Sequence, residues 1–176
     1  MHWKTLSTKE MYRNKWMWVT EDEVETDTGK RLTFGVVHKK PFALVVPWDG
    51  ERLTLVGQYR YMVDSYSWEF PQGHFEHTDI EDTARTELRE ETGLVADKIT
   101  FIRPIWEGCG AIDQLCMIFF ATGLVQQERH LEESEEGMEV KSVTSAEFWK
   151  MVADGLIKDG VSIAAMGIVQ QAGLIT

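Results

Sequence analysis

Glu87, Glu90 and Glu91 stand three and four residues apart in the run Glu87-Leu88-Arg89-Glu90-Glu91-Thr92-Gly93-Leu94. On a helix this spacing turns all three carboxylates to one side. Like charges so placed repel by roughly a few tenths of a kcal/mol per pair when exposed, and by more when partly buried. A divalent cation removes the conflict. Mg²⁺ takes one or two carboxylates and completes its octahedron with phosphate oxygens and water. The alternative is a solvated acidic face with Arg85 and Arg89 as local partners. Just upstream, Trp68-Glu69-Phe70-Pro71-Gln72-Gly73 reads as a strand running into a Pro/Gly corner. Such a corner aims a backbone carbonyl and Glu69 toward the acidic side of the helix. Strand, glycine loop and acid-faced helix together make a cradle for a metal ion and a phosphate.

The elements that must position this cradle follow from the flanking pattern. Strands are expected over 12–24 and 31–38, joined by a turn at Asp27-Thr28-Gly29-Lys30, then over 42–46, 53–59 and 66–70. Helical spacing begins at Ile80 and runs to Thr92, with Thr78 or Asp79 as N-cap and Gly93 as stop. Buried strands are expected over 99–106 and 114–121, a polar loop over 126–136, and a further strand over 138–143. Thr144 or Ser145 opens a helix through Val152, Gly155 and Asp159-Gly160 interrupt it, and Val161–Gln171 is a last apolar helix. The fold class is α+β, a mixed sheet with flanking helices behind a β-rich start.

Composition bounds the function. The 176 residues suit one compact domain, with 43% hydrophobic and 27% charged residues in the globular range. A net charge of −11 excludes a general nucleic-acid or membrane-surface binder, which needs a basic face. No run approaches the roughly 20 apolar residues of a membrane span, and the start does not read as a secretory signal. Two cysteines, Cys109 and Cys116, are too few for a disulfide framework and are expected to be buried, reduced thiols of a cytoplasmic protein. The acids cluster: residues 76–91 hold seven against Arg85 and Arg89, and residues 128–139 hold six against Arg129. His74 and His77 lack metal-ligand spacing and are expected in solvent.

The stretch Gly73–Leu94 resembles the signature of Nudix hydrolases, Gly, five residues, Glu, seven residues, then Arg-Glu-apolar-x-Glu-Glu-x-Gly-apolar. Glu87, Leu88, Glu90, Glu91, Gly93 and Leu94 match its second half. Its first half is one residue short, Asp79 stands where the family has its first Glu, and Thr86 replaces the Arg. In the family that Glu and Arg brace the loop against the helix, and Arg85 is a candidate substitute brace. Beyond the signature, Trp3–Leu6, Asn14-Lys15-Trp16, Gly57–Tyr61 and Gly155–Gly160 resemble the ADP-ribose/ADP-sugar pyrophosphatase group.

The resemblance implies a Nudix fold, an α/β/α sandwich over 41–176, behind an N-terminal β region over 1–40 that serves dimerisation and substrate binding. It implies Mg²⁺-dependent (or Mn²⁺-dependent) cleavage of a nucleotide sugar to nucleoside monophosphate and sugar phosphate, in a homodimer without nucleic-acid or membrane partners. The metal ligands implied are Glu87 and Glu91, with the Gln72 carbonyl and Glu90. The general base lies on the acidic loop, first Glu136, then Glu135 and Glu133, with Glu90 also in the catalytic set. Trp16 and Phe34 match positions that hold the base between two rings, across a dimer. Arg60 matches the family's Gln-x-Arg and either contacts phosphate or pairs with an acid, while Glu69 and Asp113 complete the substrate set. Nucleoside triphosphate or dinucleotide hydrolysis, and a non-catalytic ADP-ribose sensor, are the competing readings.

Overall fold

A computed structural model describes residues 2–74, 79–129 and 137–175. The chain forms two compact units, Met1–Pro41 with Trp106–Leu115, and Phe42–Ile105 with Cys116–Thr176.

The first unit is a meander of β1 (Lys4–Arg13), β2 (Met17–Glu25) and β3 (Arg31–Lys39). The β2–β3 hairpin pairs Met17 with Lys39 and closes at Glu25 and Arg31. Its turn needs a left-handed residue, which Gly29 supplies at φ 80°. β1 pairs antiparallel with β2 from Lys4↔Glu25 to Arg13↔Trp18, with two register shifts. The sequence reading missed β1 because every residue in it is exposed, so its apolar residues do not alternate with polar ones.

The second unit is built round β4 (Phe42–Pro47), buried along its whole length. Its alternate side chains serve two layers. Ala43 and Val45 meet Ala84 and Leu88 of α1 (Ile80–Thr92), together with Phe119 and Ala121. Leu44 and Val46 face the opposite cluster with Leu55, Phe70, Phe148 and Met166. β4 pairs in parallel with Cys116–Ala121 of β9 (Ile112–Gln126), which follows β8 (Leu94–Gly108). On its other edge it pairs with β7 (Gln72–His74). A second antiparallel sheet orders β10 (Glu139–Val143), β5 (Leu53–Arg60) and β6 (Ser65–Glu69). Two helices, α2 (Ser145–Ala153) and α3 (Gly160–Gln171), contribute Phe148, Met151, Ala165, Met166 and Val169 to the larger cluster. Helix layers therefore flank β4 on both sides, as expected.

α1 has the predicted limits. Asp79 Oδ1 accepts from Glu81 N at 2.8 Å, and Gly93 stops the helix at φ 74°. Asp79 is thus the cap, the role an acid at a helix start performs best. The three-residue β7 is too short to leave a pattern. Cys116 is buried as expected, but Cys109 is exposed, because it falls in the tight turn between β8 and β9 rather than in a strand. Among the described residues no helix is long and apolar enough to cross a membrane.

Candidate functional site

The carboxylate helix and the Pro/Gly corner are both referenced to β4. α1 seats Ala84 and Leu88 on one face of β4, and the adjoining side of the helix carries Glu87, Glu90 and the buried Glu91. The corner is fixed by Ala43↔Gly73 and Leu44↔Gln72 pairing and by Val45 N–H donating to the Pro71 carbonyl at 2.9 Å. Helix and corner therefore meet at a fixed distance. Glu91 is only 2% exposed, and its Oε2 accepts from Gln72 N–H at 3.0 Å. A Cβ placed on Gly73 would overlap the Glu87 carboxyl group. Glycine there lets the Glu87 carboxyl come close to the corner backbone, and no turn requires it. Glu90 is part-buried on the helix, with its carboxylate 3.9 Å from Arg89 Nη2.

Behind this contact lies a polar network that sequence reasoning anticipated only in part. Glu69 is 2% exposed, and its Oε1 lies 2.6 Å from Arg60 Nη2 and accepts from Gln58 Nε2 at 2.9 Å. Its Oε2 accepts from Gln72 Nε2 at 3.0 Å. Burial pushes the Glu69 carboxyl above its ordinary value, with Arg60 opposing and Asp159 adding to the rise. Three donors hold this buried charge, the arrangement a desolvated carboxylate requires. Gln72 is the hinge, since its side chain is gripped by Glu69 and its backbone N–H grips Glu91. The roles of Gln58 and the Gln72 amide carry no periodic signal in sequence: one bond crosses the β5–β6 pair and the other spans the Pro71 bend.

The donors at the corner are carboxylate and carbonyl oxygens, which suit a hard divalent cation. Gln72 Oε1 is buried without a hydrogen-bond partner among the described residues, an acceptor suited to a cation or its water. Among those residues no three acidic, histidine or cysteine side chains converge on one point. An ion content with one or two carboxylates, phosphate and water does not require such convergence. The donor set fits the implied metal.

Arg85 is spent elsewhere. It pairs with Glu81 at 2.8 Å and donates to the Ala96 carbonyl at 3.1 Å, tying α1 to the start of β8. Glu133, Glu135 and Glu136 lie outside the described residues, as does His77.

Trp16, Phe34 and Asp113 all fall in the first unit. Trp16 is 61% exposed, with Lys15 Nζ 4.1 Å from its ring centroid, and Phe34 leans on Trp3 at 5.7 Å. Trp16 borders the Met17↔Lys39 pair, while Phe34 lies opposite Asp22. Five strand residues, about 17 Å at the usual rise, separate those pairs. Asp113 takes a structural partner: His38 Nδ1 lies 2.5 Å from its Oδ2, and Lys39 N–H donates to its Oδ1 at 3.3 Å. His38 in turn stacks on Trp18 and reaches Thr20 Oγ1 at 2.9 Å.

Two family models match the chain. Residues 3–37 match the family described as nucleoside diphosphate sugar hydrolase N-terminal domain, and residues 38–162 match the NUDIX domain. An ADP-ribose pyrophosphatase of Bacillus subtilis (strain 168) is 29% identical over 171 residues, covering 95% of this chain and 92% of the relative. A methanol dehydrogenase activator of Bacillus methanolicus is 24% identical, covering 95% and 92% respectively. A solved structure described as an ADP compounds hydrolase superposes with a TM-score of 0.86 at 18% identity, over 97% of this chain and 94% of that one.

Proposed function

The chain belongs to the NUDIX domain family, and we propose that it hydrolyses the diphosphate of ADP-ribose or a related ADP-sugar to AMP and a sugar phosphate. One observation carries the reading: the buried Glu91 is tied to Gln72 while Glu87 is packed against Gly73. Two helix carboxylates held at a glycine corner make little sense as solvated surface. The matched N-terminal family and the Bacillus subtilis relative support a nucleoside-diphosphate sugar as substrate.

Glu87 and Glu91, with the Gln72 carbonyl and Glu90, are the proposed ligands of a divalent cation, Mg²⁺ or Mn²⁺. When bound, the ion neutralises diphosphate charge and lowers the pKa of water. The chain supplies the rest. Glu69 holds the Gln72 amide, Gln72 N–H holds Glu91, and Gly73 leaves room for Glu87, so the carboxylates are set before substrate arrives. Water attacks one phosphorus, one bridging P–O bond breaks, and a general base takes the proton. Glu136, with Glu135 and Glu133 behind it, is proposed as that base from sequence. Arg60 is neutralised by Glu69, which favours a bracing role for it over direct phosphate binding.

A homodimer in the cytoplasm is the proposed working form. Trp3, Met11, Tyr12 and Trp16 of the first unit are each about half exposed, an apolar surface that a second copy would cover. The spacing of Trp16 and Phe34 favours a base platform assembled from two chains. Two cysteines are too few for a disulfide framework, which suits a reducing compartment.

Purified protein with Mg²⁺ and a panel of ADP-ribose, ADP-glucose, GDP-mannose, NADH and nucleoside triphosphates tests the reading. AMP plus ribose phosphate from ADP-ribose is expected, and no nucleoside monophosphate from any sugar nucleotide would overturn it. A sensing or activating role without turnover is favoured by the name of the Bacillus methanolicus relative. Tight binding with the nucleotide recovered intact would select that role instead.

A further inference from the structure

A chain of contacts links the acid corner of the second unit to the segment that carries Arg129. Glu91 holds Gln72, Gln72 holds Glu69, and Glu69 holds Gln58 on β5. β5 pairs with β10 through Gly57↔Glu139, and the residue before Glu139 is Met138. Arg129 Nη1 donates to the Met138 carbonyl at 2.9 Å. The segment carrying Arg129 returns to the end of α1 by two bonds. Gln127 N–H donates to the Gly93 carbonyl at 2.7 Å, and Gln126 Nε2 to the Thr92 carbonyl at 3.2 Å. A Cβ placed on Gly93, two residues past Glu91, would lie 3.5 Å from Arg129 Cβ, so Arg129 stands against the end of the carboxylate helix.

Its remaining donors are unaccounted for. Arg129 Nε and Nη2 are both buried, and neither has a hydrogen-bond partner among the described residues. These two nitrogens form one edge of the guanidinium, with parallel N–H groups spaced to bind two oxygens of a phosphate or carboxylate. Burying that edge unpaired is costly, and an oxyanion on it would satisfy both groups at once. A structural clasp on Met138 would need only Nη1 and gives no reason for a dry, forked edge opposite. Charge balance gives the same answer. Glu69 and Glu91 both hold Gln72, Glu87 lies against Gly73, and Arg60 is already matched by Glu69, whereas the Nε/Nη2 edge of Arg129 has no carboxylate on it among the described residues.

We propose that Arg129 binds a phosphate of the substrate's diphosphate through the Nε/Nη2 edge of its guanidinium. The proposal rests on the diphosphate-hydrolase reading and names a substrate contact within it. Arg129 is then a binding residue whose clasp to Met138 pre-aims it, which explains why arginine rather than lysine stands there.

The test compares the parent with R129K and R129Q. Calorimetry with α,β-methylene ADP-ribose, whose bridging oxygen is replaced by CH₂, is run in Mg²⁺, with inorganic pyrophosphate and adenosine as further probes. Loss of a charge-assisted contact predicts about a ten- to hundredfold weaker affinity for the analogue in R129Q. R129K, which keeps the charge without the fork, should fall between. Pyrophosphate binding should weaken in parallel, adenosine binding should not change, and KM should rise with kcat nearly constant. If R129Q does not fold, R129K carries the comparison. Parent-like affinity of a folded variant for both diphosphates overturns the proposal. So does a shifted pH profile of kcat at constant KM, which would mean that the arginine serves a carboxylate of the chain itself. A parent that binds the analogue through Arg129 but cleaves nothing on the panel would end the hydrolase reading and leave the contact standing. A parent that binds no diphosphate would end both.

Discussion

At the residue scale the corner makes demands that substitutions can separate. Glu91→Gln keeps an acceptor for Gln72 N–H but removes a charge from a crowded face. Activity with Mg²⁺ is expected to drop at least about a hundredfold, as for loss of a metal-bound carboxylate, while the metal-free melting temperature stays or rises. A variant hydrolysing at the parent rate would remove Glu91 from the site. Gly73→Ala attacks the same geometry from the other side, because its methyl group must displace the Glu87 carboxyl. It should weaken Mn²⁺ binding, read by paramagnetic resonance, by tenfold or more. An unchanged Mn²⁺ affinity would show that Glu87 does not hold the ion. These residues were partly legible in sequence. Helical spacing disclosed Glu87, Glu90 and Glu91, since a period of 3.6 is local. The grip of Glu69 on Gln72 was not legible as a bond, because it depends on how the chain bends between two residues only three apart, and the pairing of His38 with Asp113 was not, because those partners are 75 residues apart in sequence.

Elements were readable where termini carry their own chemistry. α1 announced itself by an aspartate cap, an apolar stripe and a terminal glycine, and its limits agree with the structure. β1, without alternation, and β7, with three residues, had no comparable signature. α2 offers a test of the same capping logic. Thr144 N–H donates to Glu147 Oε2 at 2.7 Å, and Thr144 Oγ1 accepts from Glu147 N–H at 3.2 Å. The Thr144 bonds, helped by Arg52, hold the Glu147 carboxyl below its ordinary value of 4.5. A folded pKa lower than the unfolded one gives stability that is complete above about pH 4.5 and fades as pH falls through the folded value. The parent should therefore melt above Glu147→Gln at pH 7, and calorimetric scans should show the gap closing below pH 4.5. A gap that persists at pH 3 would assign the effect to packing rather than charge.

For the whole molecule, the separation of Trp16 and Phe34 along one hairpin makes an assembly prediction. If each adenine platform draws one ring from each chain, Trp16→Ala and Phe34→Ala should each raise KM for ADP-ribose. Unfolded together in equal amounts and refolded, they should regain about a quarter of native sites, because half of the dimers are mixed and each carries one intact site. No recovery would mean that a single ring, or a single chain, suffices.

β4 carries a different consequence. Ala43 and Val45 belong to the α1 layer and Phe42, Leu44 and Val46 to the layer of α2 and α3, and the strand is buried along its length. Peeling away either layer would wet half of the same strand. Neither layer can melt on its own terms, and the second unit should come apart as one cooperative event rather than shelf by shelf.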